Sequence, residues 1–159
     1  MAFDKAKSYL EQFGLADRII VTEHSSATVA EAAEAIGCEE AMIAKTLSFL
    51  QESRPVLILA DGLARVDNRK YKERFGCKAK MIPAEQVEPL IGHAVGGVCP
   101  FGVNEGVAVY LDASLRRHET VYPAVGNDHS GVRLTIPELE KCSGSLGWVD
   151  VCKARPEEA

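Results

Sequence analysis

Three short segments carry residue types that can do chemistry. Lys45 stands in Met42-Ile43-Ala44-Lys45-Thr46-Leu47, an otherwise apolar setting. Lysine is rarely buried without a partner. Its ammonium is therefore either aimed into a cleft, where it meets a phosphate or carbonyl oxygen, or it is the solvent-facing member of a half-buried strand. The second segment is Gly96-Gly97-Val98-Cys99-Pro100-Phe101-Gly102. Glycine allows close backbone approach, and Pro100 stiffens the chain without adding a donor. A rigid loop with free amides can hold a carbonyl oxygen that gains charge as an ester is hydrolysed. The same residues equally make a tight turn between a helix and a strand. No Gly-Lys-Ser/Thr follows, so a nucleotide-binding P-loop is excluded. The third segment, Tyr122 to Ser130, places His129 between Asp128 and Ser130. Adjacent side chains point in different directions, so this spacing does not make a triad. His129 either positions water or an ester, or hydrogen-bonds within a turn.

Cys99 is the one cysteine inside these segments, and a Cys99–His129 nucleophile is conceivable. The alternative is a small residue filling a loop. The five cysteines are an odd number, widely spaced and without a C-x-x-C pair, which argues for reduced, mostly buried thiols. The four histidines are scattered with no H-x-x-x-H spacing, so no metal site is expected.

The elements that must position these residues follow from periodicity and turn chemistry. Phe3, Ala6, Leu10 and Phe13 recur at helical spacing before Gly14. Arg18 to Glu23 reads as a strand. Thr28 and Glu31 form a capping box opening a helix that stops near Gly37. Ile43 to Leu50 and Pro55 to Ala60 read as a hairpin, and Asn68 to Phe75 as a basic helix ending at Gly76. Ala79 to Ile82 reads as a short strand, followed by a helix from Pro83, at its first position, to Ile91. Strands are expected at Val107–Leu111, Glu119–Tyr122, Gly131–Thr135 and Trp148–Cys152, a short helix at Pro137–Cys142, and a frayed tail from Lys153 to Ala159. Short strands mixed irregularly with helices predict an α+β domain around a curved, mostly antiparallel sheet.

At 159 residues with 47% hydrophobic and 26% charged residues, the chain fits one soluble domain spanning 1–159. No window is apolar enough for a membrane helix, and the first residues do not resemble a secretory signal, so the expected compartment is the cytoplasm. A net charge of −5 argues against non-specific coating of nucleic acid. Between Arg65 and Lys80, however, seven basic residues face only Asp67 and Glu73.

Ile43-Ala44-Lys45-Thr46-Leu47, the Gly96–Gly102 loop and Val121 to Ser130, together and in this order, resemble the YbaK/ProX family. These are bacterial trans-editing aminoacyl-tRNA deacylases, related to the editing domain of bacterial prolyl-tRNA synthetase. The match runs from about His24 to about Lys153. The resemblance implies a mixed fold with a barrel-like sheet. It also implies hydrolysis of the ester joining a wrong amino acid (Ala, Cys, Ser or Thr) to the 3′-terminal adenosine of tRNA, usually tRNA for proline, with no cofactor, metal or cysteine nucleophile. It assigns Lys45 to the terminal phosphate or ribose, the Gly97 and Val98 amides to the carbonyl, and His129 to the substrate. Gly96, Cys99, Pro100, Phe101, Asp128 and Ser130 then shape the pocket. Cys99 departs from the serine or other small residue of many relatives. Arg69, Lys70 and Arg74 become expected contacts for the acceptor stem, unless they are simply a solvated helix face. Association with prolyl-tRNA synthetase is a further expectation. The competing reading is a module that binds aminoacyl-tRNA or an amino acid without hydrolysing it.

Overall fold

The computed structural model describes residues 2–153. Its helices are α1 (Ala2–Glu11), α2 (Val29–Ile36), α3 (Asn68–Phe75), α4 (Ala84–Ile91) and α5 (Ile136–Cys142). Its central sheet joins β2 (Ala44–Gln51), β3 (Arg54–Asp61), β5 (Ala108–Asp112) and β9 (Trp148–Val149) in that order. Three two-stranded ribbons complete it. β1 (Ile19–Val21) pairs with β7 (Ser130–Val132), β4 (Arg65–Val66) with β10 (Cys152–Lys153), and β6 (Thr120–Val121) with β8 (Leu134–Thr135).

The β2–β3 hairpin is in register from Ala44↔Asp61 to Gln51↔Arg54. Its two-residue turn puts Glu52 at φ 53°, the left-handed backbone that tight hairpin turns demand. β3 then pairs in parallel with β5, and β5 with β9. A parallel neighbour needs a long crossover, and the chain between β3 and β5 holds α3, α4 and the glycine loop.

Side chains alternate across the hairpin. Ala44, Leu57 and Leu59 enter one core cluster with Leu10, Ile91, Phe101 and Leu115. Phe49, Val56, Ile58 and Ala60 enter a second cluster with Tyr71 of α3. The sheet is therefore apolar on both faces, and α3 lies on the second. The helix ends carry the expected chemistry: Asp67 caps α3 by accepting from the Arg69 and Lys70 amides, and Gly76 ends it at φ 74°.

Most strand pairings are antiparallel and the domain is α+β, but the sheets do not close into a barrel. Among the described residues, a single parallel bridge between Ile43 and Tyr122 links the end of the β6 ribbon to the start of β2. Other expectations shift locally. Glu31 donates its amide to Thr28 Oγ1, yet its carboxylate accepts from Ser25 Oγ at 3.1 Å instead of reaching back. The complete capping box is Thr135–Glu138 at α5. Ala79–Ile82 contributes only a bridge between Met81 and Phe49, because the chain turns at Pro83, the N-cap of α4, and Ala84, whose amide would carry the next ladder bond, is already helical. The strand expected over 131–135 divides at Arg133 into β7 and β8, which pair with different partners. The expected frayed tail, apart from Lys153, lies outside the described residues. No helix among those residues is long and apolar enough to cross a membrane.

Candidate functional site

On the first face of the sheet, a cavity of about 290 Å³ opens between β2, the start of α2, the segment leading into α4, and the two loops singled out above. Ala44, Thr46 and Ser48 supply its floor, the face of β2 opposite Leu47 and Phe49. Ser26 to Val29 and Ile43 form one wall, Met81, Ile82 and Val87 another. Gly96, Val98, Tyr122 and Ser130 close the remaining side. Among the described residues lining it, Lys45 is the charged one.

Backbone hydrogen bonds tie the loops to this frame. Tyr122 is clamped beside β2, with its amide donating to Met42 O at 2.9 Å and its carbonyl accepting from the Ala44 amide at 3.2 Å. Ser130 is fixed by its amide, which donates to Ser26 Oγ at 3.1 Å, and by its hydroxyl, which donates to Asn127 Oδ1. The Thr22 amide donates to His129 O at 2.8 Å. The segment from Asn127 to Ser130 is thus pinned to the chain entering α2.

The glycine loop is split in use. Gly96 and Val98 line the cavity. Gly97 does not: its amide donates to Ala94 O at 3.0 Å, closing a turn, so it is not an oxyanion donor. Its glycine identity has a packing cause. A Cβ there would sit 2.5 Å from Asn127 N and 2.6 Å from Gly126 C, so the two loops touch backbone to backbone. The Val98 amide has no acceptor among the described residues. Cys99, Pro100 and Phe101 turn inward to the core and are absent from the cavity wall. Cys99 is fully enclosed, and this desolvation pushes its thiol up to about 12, so it holds no thiolate at neutral pH and lacks the activation a nucleophile requires. Phe101 O accepts from the enclosed His93 Nε2 at 2.7 Å when that nitrogen carries the proton.

Lys45 occupies the β2 register position of the second face. Its ammonium donates to Gly62 O at 3.2 Å and to Ala64 O, so it holds the turn after β3 and is not aimed freely into the cavity. The His129 ring is half exposed and lies outside the wall. Its Nδ1 is 3.1 Å from Asp128 Oδ1 and its Nε2 3.4 Å from Asn127 Nδ2. Asp128 also stands outside. The basic helix α3 is on the opposite face of the sheet from the cavity. Arg69 pairs with Glu73 at 3.3 Å, Lys70 with Asp150 at 3.2 Å, and Arg74 stacks 4.9 Å over Phe75.

Sequence reasoning missed the hydroxyl-bearing floor, Thr46 and Ser48. The signal was the alternation of small or polar residues at 44, 46 and 48 with Lys45, Leu47 and Phe49. Asp61 ends β3 and starts the turn that follows, its carbonyl accepting from the Ala64 amide at 3.0 Å. Asp61 is fully buried and accepts from Arg117 Nε at 2.8 Å, from the Leu63 amide at 2.8 Å and, when protonated there, from His118 Nε2 at 2.6 Å.

Residues 23–142 match the family model of the aminoacyl-tRNA editing domain. An uncharacterized Bacillus subtilis (strain 168) protein, YwhH, is 44% identical over 154 residues, spanning 96% of this chain and 98% of its own. The proline–tRNA ligase of Ligilactobacillus salivarius (strain UCC118) is 31% identical over 140 residues, 87% of this chain but only 24% of the ligase. A solved structure provisionally described as a trans-editing enzyme for prolyl tRNA synthetase superposes with a TM-score of 0.85 at 30% identity, covering 96% of this chain and 98% of its own.

Proposed function

Because the chain belongs to the aminoacyl-tRNA editing domain family, we propose that it hydrolyses the ester between a small, wrongly attached amino acid and the 3′-terminal adenosine of tRNA, tRNA for proline in the first instance. The supporting observation is the cavity itself: it is small, mostly apolar and built from all three motif segments, and among the described residues that line it Lys45 is the charged one.

An aminoacyl ester is already activated, so orientation and oxyanion stabilisation suffice for catalysis. In this reading the aminoacyl group enters the cavity and its carbonyl oxygen turns to the Val98 amide. Water attacks the carbonyl carbon, negative charge collects on that oxygen, and the C–O bond to ribose breaks as the leaving hydroxyl is protonated. The vicinal ribose hydroxyl relays the proton. Gly97 serves as the close-packed hinge that aims Val98. Lys45 meets the terminal phosphate or ribose, with the phosphate displacing one of the two carbonyls its ammonium now serves. His129 and Asp128, outside the wall, contact the nucleotide at the mouth. A transient association with prolyl-tRNA synthetase would deliver the substrate.

The test is loss of ester from tRNA for proline charged in turn with Ala, Cys, Ser, Thr and Pro. Lys45→Ala is expected to lower kcat/KM by roughly 10- to 100-fold, the order expected when one charge-assisted contact to phosphate or ribose is lost. Its melting temperature is read alongside, since Lys45 also holds the 62–64 turn. Full activity in a folded Lys45→Ala protein removes Lys45 from the mechanism. Binding of charged tRNA without loss of any ester favours the binding-module reading instead.

A further inference from the structure

His93 is an enclosed titratable side chain with no part in the mechanism above. It is fully buried at the foot of the glycine loop, and its Nε2 lies 2.7 Å from Phe101 O. A carbonyl only accepts, so this bond puts the ring proton on Nε2 and leaves Nδ1 with a bare lone pair. Nδ1 is buried too and has no hydrogen-bond partner among the described residues. The bond closes residues 93–101 into a ring. A second rung lies just outside it, where the Asn104 amide donates to Ile91 O at 2.9 Å and Asn104 Nδ2 to Pro89 O at 3.0 Å. Inside the ring the Gly97 amide donates to Ala94 O, and Val95, Gly96 and Val98 face the cavity.

We propose that His93 is a positioning residue: its neutral, Nε2-protonated ring latches the glycine loop shut and so sets the Val98 amide against the substrate carbonyl. The inference rests on the deacylase reading above and adds to it a latch controlled by one proton. Protonation of Nδ1 adds a second N–H and a positive charge where no acceptor stands. The groups around the ring do not relieve this. From α1, Lys5 donates to Gly92 O at 3.4 Å, one residue away, and its ammonium repels an imidazolium. Within the loop, the Cys99 thiol keeps its proton. Glu85 and Glu88 of α4 have exposed side chains. Burial, with Lys5 adding to it, holds the His93 ring below the usual imidazole range against the opposing pull of Phe101 O. A proton is accommodated only when the ring leaves its site, which releases Phe101 O and unlatches the loop. The latched state is therefore complete above the ordinary histidine value of about 6.5 and is lost as pH falls through the lower folded value.

The experiment follows kcat and KM for the fastest-lost of the five esters above, corrected for uncatalysed loss, from about pH 4.5 to about pH 8 in the wild type, His93→Gln and His93→Phe. Glutamine keeps an N–H donor for Phe101 O but takes up no proton, and phenylalanine keeps the bulk of the ring without a donor. In the wild type, kcat should fall on the acid side of the ordinary histidine range while KM changes by less than about twofold. His93→Gln should stay within about threefold of the wild-type kcat at the alkaline end and lose the acid limb. His93→Phe should lose about tenfold or more in kcat at every pH, the scale of a misplaced reacting group. An acid limb that survives in folded His93→Gln belongs to another group, such as the half-exposed His129, and overturns the proposal, as does a folded His93→Phe with the wild-type kcat. Amide NMR of the free protein gives a readout independent of turnover: the Val98 amide resonance should follow the His93 titration in the wild type and stand still in His93→Gln. A Val98 amide that ignores His93 overturns the latch even where esters are hydrolysed. Loss of no ester, with a Val98 amide that does follow His93, overturns the deacylase reading and leaves the latch standing.

Discussion

Cys99 illustrates how far a side chain's chemistry depends on its enclosure. A thiol beside a glycine loop and a histidine is a plausible nucleophile on paper, but here the sulfur faces the core, 3.9 Å from Phe101 O, while His129 is held at the surface by Asp128. A thiol pushed up to about 12 by desolvation is neither nucleophilic nor readily alkylated at neutral pH. Cys99→Ser is expected to keep deacylase activity within about twofold, since the new hydroxyl retains Phe101 O as acceptor and no reacting group is lost. Mass mapping after iodoacetamide at pH 7.5 should find Cys99 unmodified in the native protein and modified after denaturation. Abolished activity in folded Cys99→Ser would reinstate sulfur chemistry. Lys45 shows the complementary effect: its charge was legible in the sequence, but the two carbonyls that hold it come from Gly62 and Ala64, which only the hairpin register brings near.

At the scale of elements, the glycine loop and the 126–128 loop act as one unit. Gly97→Ala places a methyl carbon against Asn127 and Gly126 backbone, which cannot give way as a flexible side chain would. We expect destabilisation of about 1–3 kcal/mol, read as a lowered midpoint in urea, together with reduced deacylation because Val98 is displaced from the wall. An unchanged midpoint would mean that the loops are not packed as described. The basic segment divides similarly. α3 lies across the sheet from the cavity, whereas Lys78 and Lys80, both exposed, flank the Met81 stretch that forms its wall. Charge reversal at Lys78 and Lys80 should raise KM for tRNA more than reversal at Arg69, Lys70 and Arg74, and should flatten the log–log salt dependence by roughly 0.7–0.9 per contacting cation removed. The opposite ranking would return the acceptor stem to α3. Helix limits and the β2–β3 hairpin were legible because caps and periodicity are local. The division of 131–135 between two ribbons and the failure of 79–82 to form a strand were not, because partner choice is settled by tertiary packing.

Across the whole molecule, three thiols are enclosed by the fold. Cys99, Cys142 and Cys152 are each pushed up to about 12, with desolvation the first cause in every case and the nearby Glu138 and Asp112 carboxylates adding to it for Cys142 and Cys152 respectively. Burial raises the Tyr9 and Tyr71 phenols in the same direction. A group whose folded pKa lies above its unfolded one keeps its proton longer in the native state, so the native state binds more protons than the unfolded state between the two values. Stability from these thiols is therefore fully present below the ordinary thiol range near 9 and is lost as pH rises toward about 12. Thermal melts from pH 7 to 11 under reducing conditions should show a midpoint that falls progressively above about pH 9. Cys142→Ala and Cys152→Ala should each flatten that fall while lowering the midpoint at pH 7, because each removes a buried sulfur along with its ionisation. A midpoint that stays level to pH 11, or an alkaline slope unchanged by both substitutions, would mean that these thiols ionise as freely in the folded chain as in the unfolded one.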